Sequence, residues 1–199
     1  MTTNFDYLKT EAKFSAFADV AISAEKIILM DPEASIINSR RAMEFAIKWM
    51  YSVESKLEMP YQDNLQSLLN AEEYRQIIGP DLWKRMDYIR RCGNNVAHNN
   101  KKLGRDEAML CLENLFIYLD YIAYCYADKY EERAFDRGII TDRIEKAKES
   151  DVPLYQDSKL ANTLSKLEIG DMIPPELYSV VAEILVFVDD CDRLKGKLK

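Results

Sequence analysis

The sequence predicts a mainly α protein in which a helical bundle over residues 1–130 is followed by a small α/β tail over residues 142–199. Apolar residues recur at helical spacing through most of the first 130 residues. The chain has only 6 Gly and 6 Pro in 199 residues, too few for the many tight turns of an all-β fold. Residues 131–141 are rich in charge and predict a connection between the two parts.

The first half of the bundle is predicted to hold three helices. The first covers residues 10–30 and presents its aromatic and aliphatic side chains on one face. The second runs from 33 to 57, after an Asp-Pro start signal, and Pro60 ends it. Asp63 is expected to cap a short third helix.

The second half of the bundle is predicted to hold two longer helices. The fourth begins after Gly79-Pro80 and stops at residues 93–95, because the Gly-Asn-Asn sequence there tolerates the left-handed backbone conformation. The fifth begins at a cap on Asp106 and carries a broad apolar face. In the tail, helices are expected over 142–150, 157–167 and after Pro174-Pro175, with a short strand at 152–155.

Charge and composition exclude several classes of protein. A formal net charge of −7 argues against a general nucleic-acid coat protein and against a basic membrane-surface protein. The longest apolar run, 116–127, is interrupted by Asp120 and is shorter than the roughly 18 residues that span a bilayer. The N-terminus lacks the apolar core of a signal peptide. Four cysteines without a Cys-x-x-Cys pair indicate reduced thiols, so we expect a cytoplasmic protein without membrane insertion.

One segment departs from the acidic average. Residues 84–105 contain seven basic residues against Asp87 alone, and they surround His98, the only histidine of the chain. This pattern indicates a phosphate-bearing ligand such as RNA, or otherwise a solvated basic face beside a turn. A single histidine excludes a His-rich metal site, and no glycine-rich phosphate loop is present, so no cofactor is expected. The candidate phosphate-binding residues are Lys84, Arg85, Lys101, Lys102 and Arg105.

The motif at the centre of this segment resembles a known family. Ile-Arg-x-x-Gly-Asn-x-x-Ala-His, ending at His98, is similar to the uncharacterised helical domain at the N-termini of type I restriction R subunits. That domain is usually placed in the HEPN superfamily of helical bundles. The opening 5–8, the run 39–44 and Leu57-x-x-Pro60-Tyr61 resemble the same domain, so the resemblance covers about residues 1–130.

The HEPN resemblance implies roles for individual residues. Active HEPN proteins are metal-independent ribonucleases, often homodimers that face Arg-x(4–6)-His motifs across a cleft. His98 would be the general acid or base at the scissile phosphate, and Arg91 or Arg90 would stabilise the charge that develops on phosphorus. Asn94 would be the polar residue of the motif, and Glu44 on the second helix would orient the arginine.

The same motif also departs from the family. In the commoner active pattern an arginine directly precedes the asparagine, and here that position is Gly93. The alternatives for His98 are therefore a catalytic residue, a ligand-binding residue, or a structural histidine that caps a turn.

The tail resembles a different family. Residues 137–190 are similar to the C-terminal cytoplasmic domain of FlhB-type export-gate proteins of flagellar and type III secretion. The resemblance rests on Val152-Pro153-Leu154-Tyr155, on residues 167–171 and on Ile173-Pro174-Pro175-Glu176-Leu177. That family's Asn-Pro-Thr-His cleavage loop is absent, so autocleavage is not expected, but binding of a protein partner is.

These observations leave three functional hypotheses. The first is a non-catalytic binding or adaptor protein that combines a HEPN-like bundle with an export-switch-like module. The second is a metal-independent ribonuclease or nucleic-acid-binding module of a restriction or defence system, acting through His98 and the basic segment. The third is a structural dimer in which the motif serves packing.

Overall fold

The computed structural model describes residues 2–98 and 102–141, and the chain divides into two compact units, Met1–Ile140 and Thr141–Lys199. The described residues form helices and no strand, which confirms the mainly α prediction. Two short 3-10 helices, Asp6–Thr10 and Ala12–Phe14, precede α1 (Ser15–Ile27), α2 (Pro32–Val53), α3 (Leu65–Asn70), α4 (Glu72–Ala97) and α5 (Arg105–Tyr126). The predicted α/β tail, with its helices 142–150 and 157–167, the helix after Pro174-Pro175 and the strand 152–155, lies outside the described residues.

The start of α2 follows directly from the sequence. The Asp31 side chain accepts a hydrogen bond from the Ala34 backbone N–H at 2.9 Å, and Pro32 occupies the first helical turn. Proline suits this position because its fixed φ matches the helix and its missing N–H has no intrahelical partner there. Replacement of such a cap by alanine costs about 1 kcal/mol in helical proteins.

Two predicted caps are wrong by one or two residues. Asn64, not Asp63, caps α3, because its side chain accepts from the backbone N–H three residues later at 3.0 Å. At α5 the cap is Gly104 rather than Asp106, and the Gly104 backbone N–H donates to the Glu107 carboxylate at 2.9 Å. Asp106 therefore lies in the first turn of α5, where its negative charge is favoured by the helix dipole.

The first two helices are shorter than predicted. Residues 6–14 form 3-10 turns instead of the start of α1, and this bend buries Leu8 and Phe14 in the core. At the other end, α2 stops at Val53 because Glu54 is extended (φ −89°, ψ 113°). Leu57 is buried beyond the end of the helix, so its apolar character reflects the core and not a continued helical face.

The fourth helix restarts after Gly79 as predicted, and it is preceded by a helical segment that the sequence analysis did not predict. α4 starts at Glu72, and Gly79, with φ 74° and ψ 169°, produces a kink before Pro80. Only glycine adopts this backbone conformation without strain, and proline then restarts the helix. The turn before the kink buries Tyr74 completely.

The predicted break at residues 93–95 is wrong, and α4 continues through Gly93 to Ala97. Gly93 is buried against Arg40 of α2, and a Cβ at this position would lie 2.4 Å from Arg40 Cδ. The glycine therefore permits close approach of α2 and α4, a use of glycine that differs from a left-handed turn.

The core lies between α2, α4 and α5, and α1 packs along α2. At its centre the Tyr74 and Tyr118 hydroxyl oxygens are 2.8 Å apart, and the Tyr118 hydroxyl also lies 3.5 Å from Met50 Sδ. Burial raises the pKa of both phenols, so both stay protonated at neutral pH. The pair satisfies two hydroxyls that would otherwise be isolated in an apolar interior.

The segment predicted as a connection packs back onto the bundle. Phe135 contacts Phe116 edge to face, with ring centroids 5.6 Å apart. The Asn4 side chain donates to the Asp136 carbonyl at 3.1 Å and accepts from the Asp136 backbone N–H at 2.7 Å. Arg137 Nη2 donates to Glu113 of α5 at 2.8 Å.

By length and mean hydropathy, α5 could cross a membrane, and it is the one helix of the described residues that meets this criterion. In the structure 56% of its most apolar 18-residue stretch is buried inside the protein. A core helix that packs on several neighbours has the same apolar character, so this criterion is weak evidence for a membrane span.

We expect Tyr74→Phe and Tyr118→Phe each to lower the free energy of unfolding by about 1–2 kcal/mol, because each leaves the other hydroxyl buried without its partner. The double variant should cost less than the sum of the two single changes. Urea unfolding of the four proteins measures this coupling. Strict additivity would show that the two hydroxyls do not stabilise each other.

Candidate functional site

The unbroken α4 gathers the residues of the predicted motif on one helical face. Asp87, Arg91, Asn94 and His98 follow one another at spacings of three or four residues, and Arg90 lies three residues after Asp87 and four before Asn94; we call these five residues the α4 stripe. Side chains at such spacings lie above one another on a helix. Arg91 and His98 are thereby separated by about 10 Å along the helix axis.

Asp87 holds both arginines of the stripe. Its Oδ1 accepts from Arg90 Nε at 2.9 Å and from Arg90 Nη2 at 2.7 Å, and its Oδ2 lies 2.6 Å from Arg91 Nε. Asp87 is only 7% exposed, whereas the Arg91 side chain is 70% exposed. One buried carboxylate therefore contacts both guanidinium groups that the resemblance assigns to charge stabilisation on phosphorus, and it neutralises one of their two charges.

The residue predicted to orient the arginine has another partner. Glu44 lies on α2, and its carboxylate pairs with Lys48 Nζ at 3.1 Å, one turn later on the same helix. Asp87 is the carboxylate that contacts these arginines. The sequence does carry a signal for this arrangement, because Asp87 precedes the two arginines by three and four residues, the spacing of helical ion pairs.

His98 terminates α4. Its backbone N–H donates to the Asn94 carbonyl at 3.1 Å, and the residue is exposed. Within the described part of the chain, no hydrogen bond or ion pair engages the His98 imidazole. The stripe therefore presents an accessible imidazole at one end, next to a partly exposed Asn94.

The other predicted phosphate-binding residues have diverse surroundings. Arg85 donates from Nη1 to Asn114 Oδ1 at 3.0 Å, and Arg105 donates from Nη2 to the Leu29 carbonyl at 3.4 Å. Lys84 is exposed and lies 3.9 Å from Asp81. Lys102 is exposed, and Lys101 lies outside the described residues. The structure thus engages both arginines of this set, and Lys84 and Lys102 are exposed at the surface.

Arg40 of α2 belongs to this region although the sequence did not single it out. If residue 93 had a Cβ, that atom would lie 3.1 Å from Arg40 Cβ and 3.3 Å from Arg40 Cγ, in addition to its close approach to Arg40 Cδ. The aliphatic stem of Arg40 therefore lies directly over Gly93. Arg40 Nε is buried without a hydrogen-bond partner. A side chain at position 93, including the arginine of the commoner HEPN pattern, could not coexist with this placement of Arg40.

Metal and thiol chemistry find little support at the site. Across residues 2–98 and 102–141, no group of three or more His, Cys, Asp or Glu side chains could hold a metal ion. Cys92 and Cys111 are buried and form no disulfide bond. The hydrogen bond with Cys92 is the largest cause, and burial the second, that raises the pKa of Cys111 far above its ordinary range. The Cys111 thiol therefore stays protonated and unreactive.

Comparison with known proteins identifies two matching families. The model of a family described as a domain of unknown function (DUF4145) matches residues 23–149, and that of the FlhB HrpN YscU SpaS family matches residues 138–188. The second match confirms the resemblance predicted for the tail. An uncharacterized protein of Bacillus subtilis (strain 168), YlqH, is 38% identical over 61 residues, which are 30% of this chain and 66% of YlqH, just under two thirds of its length. No solved structure matches the chain.

We expect Asp87→Asn to lower the free energy of unfolding by about 1–3 kcal/mol, because it leaves the partly buried Arg90 guanidinium without its carboxylate. Glu44→Gln is the matched control, since it breaks a partly exposed pair one turn apart on a helix and should cost no more than about 0.5 kcal/mol. Urea unfolding compares the two variants. A larger cost for Glu44→Gln would contradict the assignment of Asp87 as the carboxylate that holds the stripe arginines.

Proposed function

We propose that this chain, which belongs to the family described as a domain of unknown function (DUF4145), is a non-catalytic adaptor. In this proposal a HEPN-like bundle binds a phosphate-bearing ligand, and the FlhB-like segment binds a protein component of an export system. The adaptor would act in the cytoplasm. The observation that carries the non-catalytic assignment is the pairing of Asp87 with both Arg90 and Arg91.

The charge state of the stripe supports binding over catalysis. An arginine stabilises a phosphoryl transition state by directing uncompensated donors at the developing charge. Here Arg90 gives two of its donors to Asp87, and its side chain is only 16% exposed. To act on a substrate, Arg90 would first have to leave a buried carboxylate, which is costly.

Accessible cations around the stripe support the phosphate-bearing ligand. Lys84 and Lys102 are exposed, and Arg91 keeps most of its side chain at the surface. On a chain with a net charge of −7, a local basic surface is the place where an anionic ligand would meet the least repulsion.

The FlhB-family match supports the second half of the proposal. It covers 138–188, and the sequence contains no Asn-Pro dipeptide, so the cleavage chemistry of the FlhB loop has no counterpart here. What the resemblance leaves is a segment of the kind that contacts soluble export substrates or their chaperones. The activity of YlqH itself is uncharacterized, and it adds no narrower assignment.

One observation favours the alternative of a metal-independent ribonuclease. Because α4 is unbroken, Arg91, Asn94 and the exposed His98 lie on the same helical face. A histidine titrates near neutral pH and can transfer protons without a metal. A homodimer would place two such faces across one cleft, which is the arrangement that the HEPN resemblance implies.

We expect the native protein to shift labelled mixed-sequence RNA in a salt-dependent manner and to leave it intact in EDTA, since its stripe arginines are paired with Asp87. His98→Ala and Lys84→Gln/Lys102→Gln are tested in parallel. The lysine variant should weaken the shift. Cleavage by the native protein that His98→Ala abolishes would establish the ribonuclease and remove the non-catalytic proposal.

For the tail, we expect the full-length chain to bind a purified flagellar-type export substrate together with its chaperone, as measured by isothermal titration calorimetry. Replacement of residues 173–177 by a Gly-Ser sequence should abolish the heat of binding. The same replacement at the exposed loop 58–62 is the matched control and should have no effect. Equal binding by both variants would contradict a role for the FlhB-like segment.

A further inference from the structure

Arg40 differs from the other arginines of the bundle. Among the nine arginines at positions 2–98 and 102–141, the other eight each make a hydrogen bond, an ion pair or a contact with an aromatic ring. No such contact engages Arg40, and its Nε is buried without a hydrogen-bond partner. A guanidinium is charged at every physiological pH and has only donors, so this group lacks an acceptor.

The position of this guanidinium is fixed by packing. The Arg40 stem lies over Gly93, because a Cβ added to Gly93 would lie 2.4 Å from Arg40 Cδ and 3.1 Å from Arg40 Cβ. Because Nε is inaccessible to solvent while the residue as a whole is partly exposed, the terminal Nη groups are the part that a ligand can reach. A side chain held in this way loses little conformational entropy on binding.

The surroundings favour an anion. Asn94 of the α4 stripe follows Gly93 in the sequence, and Arg90 lies one turn before Gly93. The Glu44 carboxylate, one turn after Arg40 on α2, is engaged by Lys48 at 3.1 Å. The acidic groups nearest in sequence on the two helices, Glu44 and Asp87, are thus already paired, and neither compensates Arg40.

We infer that Arg40, presented from α2 over Gly93, is the arginine that contacts the phosphate group of the ligand, whereas the largely buried Arg90 serves the structure through Asp87. This inference rests on the proposed phosphate-bearing ligand. The planar fork of a guanidinium matches a phosphate oxyanion, whether the phosphate belongs to the backbone of an RNA or to a free polyphosphate. Gly93 is then a positioning residue, because it provides the space through which Arg40 reaches the surface of α4.

The test measures equilibrium binding of labelled mixed-sequence RNA and of pyrophosphate to the full chain and three variants. Arg40→Gln should weaken RNA binding about tenfold or more and lower the salt dependence by about one phosphate contact. Arg41→Gln is the matched control, because Arg41 is the next residue in the chain, carries the same charge and is exposed. This variant should bind RNA almost as the native chain does. Gly93→Ala should reproduce the loss seen in Arg40→Gln, since a Cβ displaces the Arg40 stem.

Thermal unfolding separates this role from a structural one. Arg40→Gln removes a partly buried cation that has no partner, so it should leave the unfolding midpoint unchanged or raise it while binding falls. A lowered midpoint together with unchanged binding would overturn the inference. So would equal losses in Arg40→Gln and Arg41→Gln, which would indicate a general effect of charge.

The remaining outcomes distinguish the inference from the proposed function. In one such outcome, Arg40→Gln binds RNA as the native chain does, whereas Lys84→Gln/Lys102→Gln does not bind. That result would support the phosphate-binding function and contradict the role of Arg40. Absence of binding of both RNA and pyrophosphate to the native chain would remove the function and the inference together. Displacement of RNA by pyrophosphate supports the shared phosphate chemistry, and an Arg40-dependent interaction with pyrophosphate alone would assign the site to a free polyphosphate.

Discussion

The close approach of α2 and α4 at Gly93 is the constraint on which the organisation of the site depends. Because residue 93 has no side chain, the stem of Arg40 lies against the backbone of α4. Beside this contact α4 continues through the Gly-Asn-Asn sequence, and the continuous helix aligns Asp87, Arg91 and His98 on one face. With a turn at residue 93, the arginines and the histidine would belong to different elements.

The second determinant is the distribution of partners among the charged groups. Asp87 contacts two arginines within the stripe, and Glu44 is engaged by Lys48 on its own helix. The number of basic residues in the segment therefore overstates the charge that a ligand would meet. A basic sequence segment indicates an anion-binding surface only after the carboxylates that fold against it are taken into account.

Within residues 2–98 and 102–141, the sequence was sufficient to predict most of the helices but not the contacts between them. Apolar periodicity and the Asp31-Pro32 signal are local properties, and the helices that they predict are present. The continuation of α4 could not be predicted, because Gly93 has two physical uses and the one that applies depends on Arg40, which is 53 positions away in the chain. Asp87 was predictable from its spacing to Arg90 and Arg91, whereas the unpartnered state of Arg40 is a property of the tertiary structure.

The Asn4 side chain joins the two ends of the bundle by bonding both to the carbonyl and to the N–H of Asp136. The Asn4 side chain and the pair between Arg137 and Glu113 together join residues 136–137 to the N-terminal turn and to the middle of α5. Along the chain these bonds lie between residue 141 and the end of α5 at Tyr126, so a force that pulls at residue 141 loads them before it loads the last turn of α5.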